Sequence, residues 1–329
     1  MITRTMEDRS EAFVSHAKSD VRFFALSDGR RLAYTEFGSA TGFPLFYYHN
    51  HGGTRLEASV FHREAKKANF RLISFDRPGL GHSDFRKGGG QRGVAQDLIE
   101  LANALGCTKF GLLCCGEGTS LALAASRWHP DRVSVVLGLS YSPRQHAHVL
   151  RALPAFVRVI VLAAFRLYAG IRQKRCACNP LRYLERFRDT LSYTDKRALQ
   201  DPMVLEMLSK DVKESVRQGS RGFVYDVARA FERWEFAPQD VTVPVHLWQG
   251  TADTLVSRNG SETLVRKLQN ASLHKVSSRG HFFYFRLMDE VFLTANKQLD
   301  RSTPPTAQYK KSSSKKIAHK SSPVALRVG

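Results

Sequence analysis

The sequence predicts an α/β protein with a mostly parallel, doubly wound sheet and a helical insertion. Short apolar runs alternate with helical patterns from residue 44 to residue 139, which is typical of parallel strands joined by crossover helices. Residues 141–236 then read almost wholly as helix and loop, and strand patterns resume at residue 243. We therefore expect a helical segment inserted between two strands of one sheet.

Each predicted strand is marked by its composition. Apolar runs at 23–26 and 32–37 flank a Ser-Asp-Gly-Arg turn, a pattern that indicates an antiparallel hairpin. The later runs are short and apolar, as in strands buried on both faces. They lie at 44–48, 71–75, 110–115, 133–139, 243–248 and 272–276. Helical spacing at 94–105, ended by Gly106, and the Ala- and Leu-rich stretch after 110–115 predict two crossover helices.

These patterns divide the chain into four parts. We expect a flexible N-terminus at 1–21 and an α/β core formed by 22–140 together with 237–298. A helical cap is predicted at 141–236. The last part, 299–329, is rich in Ser, Lys and Pro and is predicted to be disordered.

The charge is strongly basic. The formal net charge is +20, and the stretch from Arg301 onward has seven Lys or Arg and no acid. Such charge favours anionic surfaces, although a solvated surface explains it equally simply. We predict weak contact of the tail with anionic surfaces, no specific nucleic-acid partner, and an unassigned oligomeric state.

Five cysteines and an acidic N-terminal start predict a cytoplasmic protein with reduced thiols. Glu7, Asp8 and Glu11 argue against a signal or transit peptide. Arginines interrupt the longest apolar stretch, 149–168, so no membrane span is expected. Nuclear or membrane-peripheral placement through the basic tail is the alternative.

One stretch has the form of a nucleophile elbow. The apolar run 110–115 stops at the small turn Gly116-Glu117-Gly118, and a helical pattern follows at once. An elbow presents its nucleophile on a strained turn, with small neighbours so that strand and helix can approach. The central position here is Gly116, which has no side chain that can attack a substrate.

Four further motifs occur in a recognisable order. They are His49-Asn50-His51-Gly52-Gly53, Asp76-Arg77-Pro78-Gly79-Leu80-Gly81-His82-Ser83, the strand ending in Gln249-Gly250-Thr251-Ala252-Asp253, and Gly280-His281-Phe282. Together with the elbow they resemble the α/β-hydrolase superfamily, in its cap-bearing branch, over about residues 22–295. The resemblance implies an α/β-hydrolase fold and hydrolase chemistry.

The resemblance also assigns roles. It implies Asp253 as the catalytic acid and His281 as the general base, in the family order nucleophile, acid, histidine. It places Gly116 at a vacant nucleophile position. Asn50 and His51 fall in the oxyanion loop, where the family has His-Gly, and the backbone N–H of Glu117 is the expected second oxyanion donor.

Three explanations for the missing nucleophile stay open. Cys115 is a candidate thiol nucleophile, although its side chain should point away from the apex because strand side chains alternate. The Asp253–His281 dyad is alternatively expected to activate water or deprotonate a substrate, which needs a water site beside Gly116. The third explanation is ligand binding without turnover.

The predicted function follows from these alternatives. We expect weak or non-acyl-enzyme chemistry on a small apolar ester- or carbonyl-like ligand, and the alternative is a non-catalytic ligand-binding sensor or carrier. No cofactor and no metal are predicted, because the histidine spacings fit no metal pattern.

Overall fold

The fold is a single mixed sheet covered by helices. The structure is a computed structural model that describes residues 21–142, 153–188 and 190–299. Among these residues eight strands form one sheet in the order β1-β2-β4-β3-β5-β6-β7-β8. The strands are β1 Arg22–Ala25, β2 Arg31–Gly38, β3 Phe43–Tyr48, β4 Phe70–Phe75, β5 Phe110–Cys115, β6 Val133–Leu139, β7 Val245–Gly250 and β8 Ala271–Val276.

The pairing within the sheet is mostly parallel. Strands β1 and β2 form the predicted antiparallel hairpin, and β2 is antiparallel to β4. All other neighbours, from β4 through β8, run parallel. The predicted fold class, a mostly parallel sheet with helices, is therefore confirmed.

The described helices connect and cover these strands. They are α1 His62–Lys67, α2 Gly90–Ala104, α3 Gly118–Trp128, α4 Ala155–Cys178, α5 Pro180–Arg188, α6 Tyr193–Ala198, α7 Pro202–Ser215, α8 Arg221–Ala228, α9 Arg258–Lys267 and α10 Tyr284–Gln298. Short 3₁₀ helices span Arg55–Phe61, Arg229–Phe231 and Pro238–Asp240. None of the described helices is long and apolar enough to cross a membrane.

Two apolar cores lie on the two faces of the sheet. Phe46 and Cys114 belong to one core, which also contains buried residues of α2, α3 and α9. Leu45 and Cys115 belong to the other, with residues of α1 and α10. Adjacent strand residues thus enter opposite cores, as the alternation of side chains requires. Every residue of β4 and β5 is buried, which explains why their sequences are short apolar runs.

Helices α4 to α8 lie in sequence between β6 and β7, which are parallel neighbours in the sheet. Within 153–188 and 190–244 the structure shows helices and loops and no strand. The part boundaries predicted from sequence, including the cap at 141–236, remain predictions. Residues 1–20 and 300–329 of the predicted termini, and 143–152 of the predicted cap, lie outside the described residues.

Candidate active site

The turn after β5 has the geometry of an elbow. Gly116 has a φ of 54°, a left-handed conformation that glycine adopts without strain, and its N–H donates to the carbonyl of Leu139 at 2.9 Å. Helix α3 begins two residues later, at Gly118. A Cβ on Gly118 would lie 2.4 Å from the Tyr48 carbonyl oxygen. Only glycine allows α3 to start this close to β3.

Asn50 fills the space beside Gly116, the predicted nucleophile position. A Cβ placed on Gly116 would lie 2.0 Å from Oδ1 and 2.6 Å from Cγ of Asn50. The same Oδ1 accepts a hydrogen bond from the His51 N–H at 2.8 Å. The backbone N–H of Asn50 donates to Glu57 Oε2 at 2.8 Å. The two departures from the family pattern, at 50 and 116, are therefore in contact, with the larger residue occupying the room that the smaller one leaves.

The side chain of Arg77 binds the backbone of the loop that follows β3, residues 49–53. Its Nη1 donates to the His49 carbonyl and its Nη2 donates to the Asn50 carbonyl at 2.8 Å. The guanidinium also forms a bidentate ion pair with Asp226 of α8, at 2.8 and 2.6 Å. Burial by itself would raise the pKa of Asp226, but the Arg77 charge outweighs it and holds that pKa well below its usual range. Asp226 is therefore ionised and ties α8 to the loop.

The loop histidines differ in their surroundings. His49 is fully buried, and burial together with the Arg77 charge lowers its pKa to about 3, so its imidazole is neutral. Its Nδ1 lies 2.9 Å from the Asn50 carbonyl oxygen. His51 is part-buried, and its Nδ1 lies 4.0 Å from Asp226 Oδ2.

The predicted acid and base are in contact. His281 Nδ1 lies 2.9 Å from Asp253 Oδ2, and both side chains are at most 5% exposed. Asp253 follows β7, and its other oxygen accepts from the N–H groups of Leu255 and Val256 at 2.8 and 3.1 Å. Burial acts to raise the pKa of Asp253, but the His281 hydrogen bond and these donors outweigh it, so the pKa is lowered. The carboxylate is thus held ionised and in one orientation.

Gln249 supports the acid from the end of β7. Its Nε2 donates to Asp253 Oδ2 at 2.9 Å, and its Oε1 accepts from Ser261 Oγ of α9 at 3.0 Å. The amide is therefore fixed at both ends. No pattern in the sequence predicts this contact between Gln249 and Asp253, which lie four positions apart.

Asp195, at the start of α6, holds the loop that carries His281. Its carboxylate accepts from the N–H groups of His281 and Phe282 at 2.8 and 2.7 Å, and it is 1% exposed. The neighbouring Thr194 Oγ1 accepts from the Gly280 N–H at 2.8 Å. Sequence reasoning missed this residue. Its Ser-x-x-Asp pattern indicates a helix start, which is correct, but says nothing about a loop 86 residues away.

Residues Leu139 and Ser140, at the end of β6, connect the two halves of the site. The Leu139 carbonyl accepts from Gly116, and Ser140 Oγ donates to the backbone carbonyl of His281 at 2.7 Å. Ser140 has a φ of 48°, an uncommon value for a residue other than glycine. The strand end thus bonds to the elbow and to the base loop through adjacent residues.

Comparison with known protein families identifies the family of this chain. Residues 51–282 match the Hydrolase_4 family, described as serine aminopeptidase, S33. The chain belongs to this family. The superfamily resemblance read from the sequence is thereby confirmed. No curated protein matches the chain by sequence comparison.

Several solved structures share the fold of this chain. The chain is similar to an esterase from Thermogutta terrifontis, with 18% identity, a TM-score of 0.61, and coverage of 86% of this chain and 99% of that one. An enol-lactonase from Burkholderia xenovorans LB400 gives 16% identity, a TM-score of 0.62, and coverage of 85% and 100%. An esterase from Exiguobacterium antarcticum gives 16% identity, a TM-score of 0.62, and coverage of 84% of this chain and 98% of that one. At these identities the likeness shows the fold alone.

The remaining predicted site residues of this Hydrolase_4 chain lie around the elbow. Cys115 is fully buried in the core on the α10 side, and burial together with nearby Glu57 raises the pKa of its thiol well above its usual range. A thiolate is disfavoured there. Glu117 is buried, and its Oε1 accepts from Ser120 Oγ at 2.6 Å, so its carboxylate faces the first turn of α3.

A metal site requires several ligand side chains that lie close together. Within 21–142, 153–188 and 190–299, no three His, Cys, Asp or Glu side chains form a group that could hold a metal ion.

Proposed function

We propose that this Hydrolase_4 protein binds a small apolar ester- or carbonyl-like ligand and acts on it slowly through His281, without an acyl-enzyme. One observation carries this proposal. His281 and Asp253 are in direct contact at 2.9 Å, and the acid is further oriented by a side-chain amide and two backbone donors. With the Nδ1 proton directed to Asp253, the imidazole has Nε2 as its proton acceptor.

A covalent route is disfavoured by the elbow. Gly116 has no attacking atom, Asn50 fills the space that a side chain at position 116 would need, and Cys115 is buried in the core. The aminopeptidase activity in the family's description relies on a serine, so it does not transfer to this chain. General-base attack by water needs no nucleophilic side chain, but it needs the dyad, a bound substrate and a place for the attacking water.

The test is a comparison of rates on a short-chain activated ester, p-nitrophenyl butyrate. We expect the wild type to exceed the buffer rate weakly and without a burst phase, because no acyl-enzyme accumulates. The variant His281→Ala should fall to the buffer rate. The control is His129→Ala, which removes a half-buried histidine at the end of α3 and should retain the wild-type rate.

A second candidate, ligand binding without turnover, is favoured by Asn50. Its carboxamide occupies the room beside Gly116 that an attacking water would need. On this reading the wild type and His281→Ala show the same background rate, while titration calorimetry with the same ester still detects binding. A wild-type rate that depends on His281 rejects this candidate.

A further inference from the structure

Helix α4 exposes an unusual amount of apolar surface. Most of the large exposed apolar side chains among the described residues lie on it. We define its apolar stripe as Phe156, Val159, Ile160, Leu167, Tyr168 and Ile171, whose exposed fractions are 69%, 66%, 63%, 67%, 63% and 45%. Positions 156, 160, 167 and 171 are separated by four, seven and four residues, which places them on one face of a helix.

The opposite face of α4 packs on the protein. Ala169 and Cys176 are buried on this face. The neighbouring Gly170 is also buried, and it lies against Ser220 and Val224 at the start of α8. The helix is therefore anchored along its inner side, and the apolar stripe faces outward. Packing against the protein accounts for the apolar residues of the inner face, but it does not account for those of the outer face.

Positive charge accompanies the stripe. Residues 155–184 contain six Lys or Arg and no Asp or Glu. Arg172, Lys174, Arg175 and Arg182 are all exposed at the C-terminal end of the stripe. A surface that is apolar along one helix face and cationic beside it is typical of helices that lie in the interface of an anionic bilayer.

A cleft adjoins the end of the stripe. It has a volume of about 430 Å³ and is lined by Tyr168 and Ile171 on its apolar side and by Arg172, Arg175 and Arg182 on its cationic side. Guanidinium groups bind phosphate oxygens in pairs of hydrogen bonds, which an ammonium group does not. The cleft thus offers phosphate-binding groups beside an apolar wall.

We propose that the outer face of α4 docks on an anionic phospholipid bilayer, with the apolar stripe at the acyl boundary and the three cleft arginines on lipid phosphates. This helix lies on the bilayer and does not span it. Charge favours lipid over a second copy of the chain, because a symmetric dimer would bring two cationic surfaces together. The apolar stripe favours lipid over nucleic acid, because nucleic acid has no acyl region that could receive six apolar side chains. The inference stands independently of the proposed function.

The experiment measures binding of the full chain to phosphatidylcholine vesicles with and without phosphatidylserine, by flotation. We expect the wild type to bind the phosphatidylserine vesicles and to release as salt is raised. Arg172→Gln/Arg175→Gln/Arg182→Gln should bind roughly 100-fold more weakly, since each basic residue near such a surface contributes about a factor of five. Ile160→Glu/Leu167→Glu should weaken binding at least tenfold.

Matched variants separate this surface from charge and apolarity elsewhere. Lys66→Gln/Lys87→Gln/Lys109→Gln removes the same number of exposed charges, and Phe23→Glu/Leu293→Glu changes two other exposed apolar residues. Both should bind as the wild type does, and circular dichroism should show that all variants are folded. The basic tail is present in every protein, so its contribution is constant.

Three results overturn the proposal. The first is equal vesicle binding by the wild type and both α4 variants. The second is dissociation of a wild-type dimer by Ile160→Glu/Leu167→Glu in the absence of lipid, which would make the stripe an interface between copies. The third is loss of binding to a mixed-sequence DNA duplex in the arginine variant with vesicle binding unchanged.

Discussion

The predicted base half of this site, around Asp253 and His281, and the predicted nucleophile half, around Asn50 and Gly116, are held in different ways. In the base half the carboxylate of Asp253 accepts four hydrogen bonds, and the His281 loop is bonded to Asp195 and Ser140. In the nucleophile half the elbow turn is intact, but Asn50 packs against a bare glycine. The base half has the polar partners that proton transfer needs, whereas in the nucleophile half the Asn50 side chain fills the space beside Gly116. The geometry of an elbow thus does not depend on the group it usually presents.

The largest effect is expected from placing a serine at position 116 and removing the Asn50 side chain beside it. Because a Cβ at position 116 would meet Asn50 at 2.0 Å, Gly116→Ser alone should react poorly with a fluorophosphonate. Asn50→Gly/Gly116→Ser should be labelled on the order of 10³-fold faster than the wild type, since an elbow nucleophile contributes on the order of 10⁶ in rate. In-gel fluorescence measures the rates, and mass spectrometry locates the label.

The control for this experiment adds His281→Ala to the double variant. Labelling should then return to the wild-type level, because the imidazole no longer accepts the hydroxyl proton. Fast labelling that is indifferent to His281 would show that the base half does not reach the elbow.

The next largest effect concerns the support of the nucleophile half. Asp226→Ala leaves the buried Arg77 without its ion-pair partner, and we expect a loss of about 3–5 kcal/mol in the free energy of unfolding. Urea denaturation measures this loss. The control is Glu206→Ala, which breaks the exposed Glu206–Lys210 pair within α7 and should cost at most about 0.5 kcal/mol. Equal losses in the two variants would show that α8 does not stabilise the loop.

A smaller effect is expected in the base half. Asp195→Ala removes the acceptor for two backbone N–H groups, and we expect a loss of about 2–3 kcal/mol in urea denaturation. Asp201→Ala removes the N-cap of α7 and should cost about 1 kcal/mol.

The same pair of variants tests positioning separately from stability. Introduced into Asn50→Gly/Gly116→Ser, Asp195→Ala should slow fluorophosphonate labelling about tenfold, the effect of a misplaced base. Asp195→Asn should recover part of the rate, and Asp201→Ala should leave it unchanged. An Asp195→Ala variant that is destabilised but labelled at full rate would limit Asp195 to a structural role.

The smallest effect is the pH dependence of the dyad. The pKa of Asp253 is lowered in the fold from an ordinary value of 3.8, so its contribution to stability is present above that value and is lost as the pH falls toward the folded pKa. The wild type should therefore exceed Asp253→Asn in unfolding free energy at neutral pH, and the difference should shrink below about pH 4. Urea midpoints across this range measure it, and a constant difference would contradict the assignment.

The sequence indicated the pairing of Asp253 with His281, but not the contact of Asn50 with Gly116. The motif order placed Asp253 and His281 correctly as neighbours, because each follows a strand whose carboxyl end lies at the same edge of the sheet. The changes at Asn50 and Gly116 were both visible, but as two separate departures. Their contact joins residues that are 66 positions apart, and no local pattern encodes it.

The supporting residues were missed for the same reason. Asp195, Asp226 and Gln249 looked like ordinary polar residues of helices and strands, and the insertion was predicted only as a helical cap. The structure shows that the insertion supplies carboxylates to both halves of the site.

By itself the sequence determined the order of strands and helices, the elbow turn and the choice of Asp253 and His281 as the predicted acid and base. These follow from hydrophobic periodicity and from glycines at turns, which act over a few residues. Only the tertiary structure decided that Asn50 fills the space beside Gly116, that Asp195 and Asp226 fix the two loops, and that α4 presents an apolar face outward. Those outcomes depend on which distant surfaces meet and which remain uncovered after the chain has folded.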